Sequence, residues 1–486
     1  MRRLARHYER FRHEYPDEQL LIVFDIDGTI LDMRSMVREV LLSYDRAHGT
    51  DYFVGLEVGD IAVHENQVDR LLADMALPSA VAERIHGWYL DHRWKPEAVL
   101  AAHRPYQGVL DVIRWFQLQP NTSVGLNTGR PEHLRDETLR SLNALGEEYR
   151  VVFPSELLHM NPKGWEEGVV DTKVAALDAF RREGLRVFAV VDNEPDNIRS
   201  MAEADKAGEI LFLHAHTLYE SRRTPTPRTV QGTTYDITAL LSEHHLPQHV
   251  QLVWHGVNDA WNLRQFLAST VGWGECDVRL DPVGRLVLRH DSFEETPWTP
   301  DERPLLLEHV VDAFVEHGRG LKLDLKQAAE ATVDRVLALV EDRIADERLW
   351  FNAGVDDLGE DGFRRLAVTY PGSVRQCPVG FLAPLVFSAP VRARELLEML
   401  GEWGVNRFSV AWGSHDTRRL FDRLDCWGYA VNIYAVPDLE AFLQAALLLP
   451  RSLTADFNFP QWHYFGRGSG EHRENHTYRI NDPRVA

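Results

Sequence analysis

The sequence predicts an α/β protein with two parts: an N-terminal Rossmann-like parallel sheet that carries an inserted helical cap, and a C-terminal (β/α)8 barrel. Three observations lead to this prediction. The chain has 486 residues, too many for one ordinary domain, and 44% of them are hydrophobic, which is enough for more than one core. Short aliphatic runs alternate with amphipathic helical stretches. A segment rich in Pro, Thr and Arg divides this alternation in two.

Four strands are predicted in the first part, residues 1–220. They are LLIVFD (20–25), SVGLNT (123–128), RVFAVVD (186–192) and ILFLHA (210–215). The long interval between the first two runs contains the helix-like stretches 33–48, 65–75 and 79–92. A helical insertion directly after the first strand is typical of a cap over the sheet, so a cap is predicted at about residues 31–105.

The second part begins after a predicted linker, residues 221–247, which includes SRRTPTPRTVQGTT. Eight strand candidates follow, with helical stretches between most of them: 250–255, 275–280, 321–326, 348–353, 373–378, 407–412, 430–435 and 452–457. Eight strands over some two hundred residues favour a closed barrel, residues 248–465, over an open sheet. The tail, residues 466–486, is polar and is predicted to be loose.

The composition narrows the classes of partner. The formal net charge is −21 and the pI is about 5.5, so the chain repels a nucleic acid backbone at long range, although a local basic pocket for a small phosphate is compatible with this charge. The three cysteines lie far apart and are expected to be packing residues in a reducing compartment. No segment is apolar over the length of a signal peptide core or a membrane span, so a soluble cytoplasmic protein is expected.

Two aspartates follow the first predicted strand, at the edge where open α/β sheets bind their ligands. Asp25 and Asp27 are two residues apart, so their side chains point the same way and each carboxylate raises the pKa of the other. A divalent cation bound by both would relieve this repulsion, and Mg²⁺ is the usual ion beside phosphates. The pair therefore predicts a metal site.

Further polar residues follow the later strands of this part in chain order: Thr128, Gly129, Lys173, Asp192 and Asp196. The threonine hydroxyl and the backbone N–H groups beside it can bind an oxyanion. Lys173 opens the helix-like stretch TKVAALDAFRREG and offers a positive charge to phosphate, and the late aspartates add carboxylates.

The lysine that binds phosphate is open between two residues. Lys163, in NPKGWEEG, is the alternative to Lys173. It lies in a turn-like stretch with no helix behind it, which favours Lys173.

In order, in residue type and in position at strand ends, this set resembles the four motifs of the haloacid dehalogenase-like phosphohydrolases, over about residues 18–216. The resemblance implies that Asp25 attacks phosphorus to form an aspartyl-phosphate and that Asp27 is the general acid and base. It implies that Thr128 and Lys173 hold the phosphoryl oxygens. It also implies a Mg²⁺ site completed by Asp192 and Asp196. The predicted cap has the position of the family's cap, which usually selects small substrates.

A second group of polar residues falls at the strand ends of the predicted barrel. They are His255, Glu275, Asp277, His290, Asp324 and Lys326, with Asn352 as a weaker candidate. Because these ends converge on one mouth, three carboxylates, two imidazoles and an ammonium are predicted to meet there. Three acids suit Ca²⁺ or Mg²⁺, and two histidines suit a base for attack and an acid for the leaving oxygen.

This arrangement resembles the glycerophosphodiester phosphodiesterase-like barrels, and KLDLK, LWFNAGV and YPGSVRQCPVG look like their menorin-type branch, over about residues 248–460. The resemblance implies an acid–base pair, a phosphate-binding lysine and a three-carboxylate metal site: His255 with His290, Lys326, and Glu275 with Asp277 and Asp324. The sequence departs from the family at two positions. Gly256 stands where an arginine is usual, and Asp324 stands where a glutamate is usual.

Together the two parts suggest a metal-dependent phosphohydrolase in which the barrel cleaves a phosphodiester and the N-terminal part hydrolyses the resulting small monoester. One alternative is a small-molecule phosphatase with a non-catalytic barrel that serves in binding or oligomerisation. Another is nucleic acid end processing, which the acidic charge disfavours. The sequence makes no prediction of oligomeric state.

Overall fold

The computed structural model describes residues 1–101, 104–164, 168–216, 229–232, 234–241, 246–299, 302–326, 330–413, 416–457, 459, 469–470 and 478–479. Parts of the predicted linker and most of the predicted tail lie outside these ranges. The chain divides into two compact units, Met1–Leu240 and Leu241–Ala486.

The first unit is built on a six-stranded sheet in which every neighbouring pair is parallel. In chain order the strands are β1 (Gln19–Phe24), β2 (Thr122–Pro131), β3 (Leu158–Asn161), β4 (Leu185–Asp192), β5 (Leu211–Ala215) and β6 (Thr229–Gly232). Their order in the sheet is β3-β2-β1-β4-β5-β6. Strand order reverses between β1 and β4, and such a reversal opens a crevice at the carboxyl ends of the two strands.

Nine helices accompany this sheet within the described residues: α1 (Arg2–Glu14), α2 (Met33–His48), α3 (Val68–Asp74), α4 (Ser79–His92), α5 (Pro96–Ala101), α6 (Val109–Gln117), α7 (Arg135–Gly146), α8 (Val169–Arg182) and α9 (Pro195–Ala204). Helices α2 to α5 form the predicted helical insertion. The β1 run is buried from Leu20 to Phe24, as expected for a parallel strand covered on both faces. Its side chains join residues of α8 and α9, such as Phe180 and Met201, in one hydrophobic cluster.

The second unit contains eight parallel strands that close into a barrel. They are β7 (Gln251–Trp254), β8 (Trp273–Leu280), β10 (Gly320–Leu325), β11 (Leu349–Asn352), β12 (Val374–Pro378), β13 (Arg407–Ala411), β14 (Val431–Val436) and β15 (Ser452–Ala455), and the short β9 (Leu286–Leu288) lies antiparallel to β8 outside the ring. All eight predicted barrel strands are present, and the predicted fold class is confirmed for both units.

Eight helices surround the barrel strands within the described residues: α10 (Ala260–Ala268), α11 (Leu307–Glu316), α12 (Glu330–Val340), α13 (Val355–Thr369), α14 (Ala383–Ser388), α15 (Pro390–Glu402), α16 (Thr417–Cys426) and α17 (Leu439–Leu447). Two short tail segments, β16 (Ser469–Gly470) and β17 (Tyr478–Arg479), pair antiparallel with each other. In the described part of the chain, no helix has the length and apolar composition needed to cross a lipid bilayer.

Two details differ from the expectations from sequence. Strand β6 pairs with β5 although it lies in the stretch treated as linker, and the first compact unit extends to Leu240. Cys276 and Cys377 are buried packing residues, but Cys426 is exposed at the end of α16, so the packing prediction is wrong for that residue.

Candidate active sites in the two units

In the first unit a buried lysine joins two aspartates at the carboxyl ends of β1 and β4. Lys173 Nζ donates to Asp25 Oδ1 over 2.5 Å and to Asp192 Oδ2 over 2.6 Å. The backbone N–H of Asp25 donates to the carbonyl of Val191, which ties the residue after β1 to β4. These three side chains therefore meet in the crevice that the strand order creates.

The electrostatics of this group depend on the lysine. Burial raises the pKa of Asp25 to about 7, Lys173 opposes this rise, and the nearby charges of Asp192 and Asp27 add to it. Burial alone would lower the pKa of Lys173, but Asp192 and Asp25 outweigh it and raise that pKa above its ordinary value. The lysine thus stays protonated and favours the ionised form of Asp25.

Asp27 has a separate cation. Arg130 Nε donates to Asp27 Oδ2 over 2.8 Å and Arg130 Nη2 to Asp27 Oδ1 over 2.6 Å, which is the two-bond geometry of an arginine–carboxylate pair. The arginine is fully buried, and its Nη1 donates to Thr138 Oγ1 over 3.1 Å. Asp25 and Asp27 are therefore each paired with their own basic side chain.

The loops around these aspartates are tightly packed. Thr128 is buried, and its Oγ1 accepts from the backbone N–H of Arg130 over 3.2 Å. A Cβ on Gly129 would lie 3.0 Å from Val169 Cγ1, at the start of α8. Gly28 has a φ of +76°, and a Cβ there would lie 2.3 Å from Asn193 Nδ2. Both glycines allow backbone to approach where a side chain would obstruct it.

Two of the predicted residues have contacts elsewhere. Asp196 is exposed on α9 and pairs with Arg199 over 3.0 Å. Asp192 is instead approached by Asn197, whose Nδ2 lies 3.4 Å from its carboxylate oxygens. Lys163 is exposed, and its ammonium lies beside Gly168. Of the two candidate lysines, Lys173 is the one that contacts Asp25.

The cap contributes polar groups that the sequence did not indicate. His64 Nε2 is hydrogen-bonded to Glu194 Oε1 over 3.2 Å, and its Nδ1 lies 3.3 Å from Glu65 Oε2. Burial raises the pKa of Glu65 to about 7; His64 opposes this rise, and Asp27 and Glu194 add to it. The turn at the start of α3 therefore lies against the acidic edge that carries Asp27.

In the barrel, three carboxylates meet at the mouth. One oxygen each from Glu275, Asp277 and Asp324 lies within 4.8 Å of the other two, the spacing of a site that could hold a cation. The β8–β10 register places Asp277 opposite Asp324. Asn352, opposite Asp324 on β11, donates through Nδ2 to Asp324 Oδ1 over 2.9 Å. The predicted acidic residues are thus brought together, and Asn352 joins them.

Lys326 is the basic residue of this cluster. Its Nζ lies 3.1 Å from Asp277 Oδ1 and 2.8 Å from Asp324 Oδ2. Burial would raise the pKa of Asp277, but Lys326 and His255 outweigh it and lower that pKa to about 2. Burial and the charge of Asp277 raise the pKa of Glu275. Asp277 is therefore strongly ionised, whereas the ionised form of its neighbour Glu275 is disfavoured.

His255 lies beside this cluster and is held by Asp456, the residue that directly follows the last barrel strand, β15. Its Nδ1 donates to Asp456 Oδ1 over 2.9 Å, and its Nε2 lies 3.8 Å from Glu275 Oε2. Burial opposes protonation, but Glu275 and Asp456 raise the pKa of His255 to about 9. Asp456 was not singled out in the sequence because it is about two hundred residues from its partner.

The second predicted histidine is on the rim. The side chain of His290 is 43% exposed and its Nδ1 bonds Asp291 Oδ1 over 2.9 Å. It helps to lower the pKa of Asp277, so it belongs to the same mouth. Its position after the short strand β9 leaves it open to solvent.

The backbone conformation at Gly256 favours glycine at this position, where the glycerophosphodiester phosphodiesterase-like barrels usually have an arginine. The φ of Gly256 is +67°, in the left-handed region that favours glycine, and its N–H donates to Glu275 Oε2 over 2.9 Å. Asn258 completes the loop, because its Nδ2 donates to Asp277 Oδ2 over 2.6 Å and its Oδ1 accepts from the Asp277 N–H. Both loop residues fix the carboxylates of β8.

The donor set of the barrel suits a hard cation. In the barrel, three carboxylates converge within 4.8 Å, and oxygen-only sets of this kind bind Mg²⁺ or Ca²⁺. In the first unit, Asp25 and Asp192 share one ammonium and so already hold a positive charge between them.

No family model matches the chain, and no curated protein matches it. Among solved structures, the chain is similar to an Oleispira antarctica phosphodiesterase in complex with the product sn-glycerol-3-phosphate, with 17% identity, 45% of this chain and 95% of that chain covered, and a TM-score of 0.34. It is similar to a HAD-superfamily hydrolase, subfamily IA, from Geobacter sulfurreducens, with 15% identity, 46% of this chain and 96% of that chain covered, and a TM-score of 0.30. It is also similar to CbbY from Rhodobacter sphaeroides in complex with phosphate, with 15% identity, 43% of this chain and 92% of that chain covered, and a TM-score of 0.27. At these identities and TM-scores, the matches assign neither a family nor an activity to the chain.

Proposed function

We propose that the chain is a metal-dependent phosphohydrolase with two active sites that act in sequence. The barrel cleaves a small phosphodiester, such as a glycerophosphodiester, and the first unit hydrolyses the monoester that results. The observation that carries the proposal is the group Asp25–Lys173–Asp192 in the crevice between β1 and β4, with Asp27 held two residues farther along.

In the first unit, Asp25 is suited to be the nucleophile. Its Oδ1 is held by Lys173 and its Oδ2 by Thr29, so the carboxylate has a fixed orientation. The Asp25 oxygen attacks phosphorus, the bond to the leaving oxygen breaks, and an aspartyl-phosphate forms while Lys173 and Thr128 hold the phosphoryl oxygens. Asp27 enters this step as a carboxylic acid and gives its proton to the leaving oxygen, and Arg130 stabilises the carboxylate that remains. Water then attacks the phosphorus of the aspartyl-phosphate and gives a proton to Asp27, the bond between Asp25 and phosphorus breaks, and inorganic phosphate leaves.

Mg²⁺ bound by Asp25 and Asp192 would supply charge neutralisation for the phosphoryl group. Asp196 pairs with Arg199 on the exposed face of α9, so the structure supports Asp192 more strongly as the late ligand. Asp27 has the proton-transfer role in this proposal, and Arg130, which donates to both of its oxygens, fixes its orientation.

In the barrel, His255 is suited to be the acid. Because its pKa is raised to about 9, it carries a proton at neutral pH and can donate it to the leaving oxygen. His290, on the exposed rim, then has the role of the base. Lys326 is partly exposed and can offer its ammonium to a phosphoryl oxygen while it stays near Asp324. Mg²⁺ or Ca²⁺ held by Glu275, Asp277 and Asp324 would polarise the phosphate.

The test uses full-length protein, stripped of metal and resupplied with Mg²⁺ or Ca²⁺, against a panel of phosphomonoesters and phosphodiesters. The wild type is expected to release inorganic phosphate from a glycerophosphodiester. Asp25→Asn should accumulate the monoester without phosphate release, and His255→Ala should hydrolyse added monoester but leave the diester intact. Asp178→Asn, an exposed acid on α8 paired with Arg181, is the control and should match the wild type. Phosphate release from diester that survives His255→Ala would overturn the coupled reaction.

A second candidate is a phosphatase whose barrel binds without catalysis. Two observations favour it: Gly256 offers no guanidinium to a diester, and His290 lies on the solvent-exposed rim. In that case the wild type hydrolyses monoesters, no diester in the panel is cleaved, and His255→Ala leaves the monoester rate unchanged.

A further inference from the structure

Tyr235 lies in the stretch that follows β6 and is buried against the loop after β1, residues 25–31. Its hydroxyl donates to the backbone carbonyl of Thr29 over 2.7 Å. Tyr235 is only 8% exposed. A residue from the end of the first unit therefore contacts the loop that directly follows the proposed nucleophile.

Thr29 connects this contact to the nucleophile itself. The threonine is fully buried, and its Oγ1 donates to Asp25 Oδ2 over 3.1 Å. Within the loop, the N–H of Ile30 donates to the carbonyl of Ile26, and the carbonyl of Ile30 accepts from the N–H of Tyr106 over 2.9 Å. The Tyr235 hydroxyl thus gives the Thr29 carbonyl a long-range partner, at a residue whose side chain orients Asp25.

The segment around Tyr235 is itself firmly placed. Strand β6 is in register with β5 from Phe212 opposite Thr229 to Ala215 opposite Gly232. Asp236 caps the turn Ile237–Ala239 by accepting from the N–H of Thr238 over 2.9 Å. A Cβ on Gly108 would lie 2.3 Å from the Tyr235 carbonyl oxygen, so the two backbones are in close contact. Burial raises the pKa of Tyr235, and the nearby Asp25 and Asp192 add to that rise, so the hydroxyl stays a donor.

We propose that Tyr235 is a positioning residue for the phosphatase reaction of the first unit. It acts through Thr29 to hold the carboxylate of Asp25 in its attacking orientation, and residues 229–232 and 234–240 are therefore part of that active unit. The inference rests on the proposed role of Asp25 as nucleophile. A tyrosine that contributed only to folding would change stability without changing turnover.

The test compares Tyr235→Phe with Tyr8→Phe in the full-length chain. Tyr8 is a buried tyrosine of the same unit, and its hydroxyl is hydrogen-bonded to Thr122 Oγ1 over 2.7 Å. Thr122 is the first residue of β2 and lies opposite Leu20, so this bond is at the amino-terminal end of the strands, away from Asp25. Each substitution removes one buried hydrogen bond, so both should lower the melting temperature by a similar amount. Only Tyr235→Phe should lower kcat for a phosphomonoester, by about tenfold, with KM little changed.

A double-mutant cycle tests the route through Thr29. Thr29→Val should also lower kcat, and the double variant Thr29→Val/Tyr235→Phe should fall by less than the product of the single effects. If Tyr235→Phe keeps the kcat of Tyr8→Phe, or if the two effects multiply independently, the inference is overturned. If Tyr235→Phe does not fold, wild-type kcat in Thr29→Val alone overturns it. A wild type that hydrolyses no monoester is a failure of the proposed function and is seen before any variant is compared.

Discussion

The two aspartates after β1 are held by different cations, Lys173 for Asp25 and Arg130 for Asp27. This division gives them different surroundings, although they are two residues apart. Asp25 is buried and oriented on both oxygens, whereas Asp27 is partly exposed and held by the planar fork of one arginine. Two like carboxylates with separate partners are suited to separate roles, nucleophile and proton shuttle.

Arg130→Lys tests whether the two-bond pair with Arg130 is needed for the role of Asp27. A lysine keeps the charge but cannot make the two parallel bonds to Asp27, and it also loses the bond to Thr138. We expect kcat for a phosphomonoester to fall on the order of tenfold, because Asp27 loses its fixed geometry. Arg135→Lys is the matched control, since Arg135 makes a similar two-bond pair with Glu132 on the exposed surface. Wild-type kcat in Arg130→Lys would show that the pair is only structural.

At the barrel mouth, Asp456→Asn tests whether Asp456 raises the pKa of His255. Asp456 is one of the two carboxylates that raise the pKa of His255 most, so its neutralisation should move that pKa down from about 9 toward the ordinary value of 6.5. The side-chain NMR signals of His255, titrated in buffer with EDTA, measure this directly. Asp291→Asn, which removes the partner of His290, should leave the His255 signals unchanged. An unmoved His255 pKa in Asp456→Asn contradicts the assigned pair.

Sequence alone was informative for residues at strand ends. Asp25, Asp192 and the barrel acids could be found because each lies in or directly after a recognisable strand, and Lys173 because it lies in the first part of a recognisable helix. The side chains that orient them could not be found in this way. Arg130, Asp456 and Tyr235 act on partners between about one hundred and two hundred residues away, and no local pattern records such a contact.

At the scale of elements, strand register assembles the barrel site. Glu275 and Asp277 share one face of β8, and the next strand places Lys322 and Asp324 opposite them. Asn352 then lies opposite Asp324 and accepts from Gln376 Nε2 over 2.6 Å. A polar row thus crosses four adjacent strands, and a shift of one residue in any of them would move its site residue to the other face.

The register predicts opposite effects of two substitutions on cation binding. Lys326 lies against Asp277 and Asp324, where its ammonium competes with a bound cation, so Lys326→Met should tighten Ca²⁺ or Mg²⁺ binding. Asp324→Asn removes a ligand charge and should weaken binding on the order of tenfold. Isothermal titration of metal-free protein measures both. Asp334→Asn, an exposed acid paired with Arg365 on the outer face, should leave the affinity unchanged. Weaker binding in Lys326→Met would mean that the lysine supports the site instead of competing with the cation.

Two of the strands missed in the sequence are the edges of the first sheet. Strands β3 and β6, with sequences LHMN and TVQG, have four residues each and no continuous apolar run. An edge strand pairs on one side only and needs less hydrophobic burial than a central one, so the pattern that revealed β1 and β4 is absent from both. All eight barrel strands were found because each is flanked on both sides within a closed ring.

At the scale of the whole molecule, the boundary between the units lies later than the composition suggests. The Pro- and Thr-rich segment marks the change of pattern, but the first compact unit continues to Leu240 and includes β6 and Tyr235. Composition reports where hydrophobic periodicity stops, whereas a unit ends where its contacts stop. The chain as a whole carries a net charge of −21, which matters for the fate of an anionic intermediate.

A sequential reaction predicts that two inactive variants complement each other. Asp25→Asn retains the barrel site and His255→Ala retains the phosphatase site, so neither alone should release inorganic phosphate from a glycerophosphodiester. An acidic surface does not retain an anionic monoester, so the barrel product should reach the other variant through solution. A mixture of the two should therefore release phosphate after a lag that shortens as the concentration of His255→Ala is raised.

A time course of inorganic phosphate measures this complementation. The double variant Asp25→Asn/His255→Ala, mixed with either single variant at the same total concentration, is the control and should release none. The informative failure is a mixture that accumulates monoester and releases no phosphate, while His255→Ala still hydrolyses other monoesters. The two sites would then act on different substrates, because the product of the barrel would not fit the cap and crevice of the first unit.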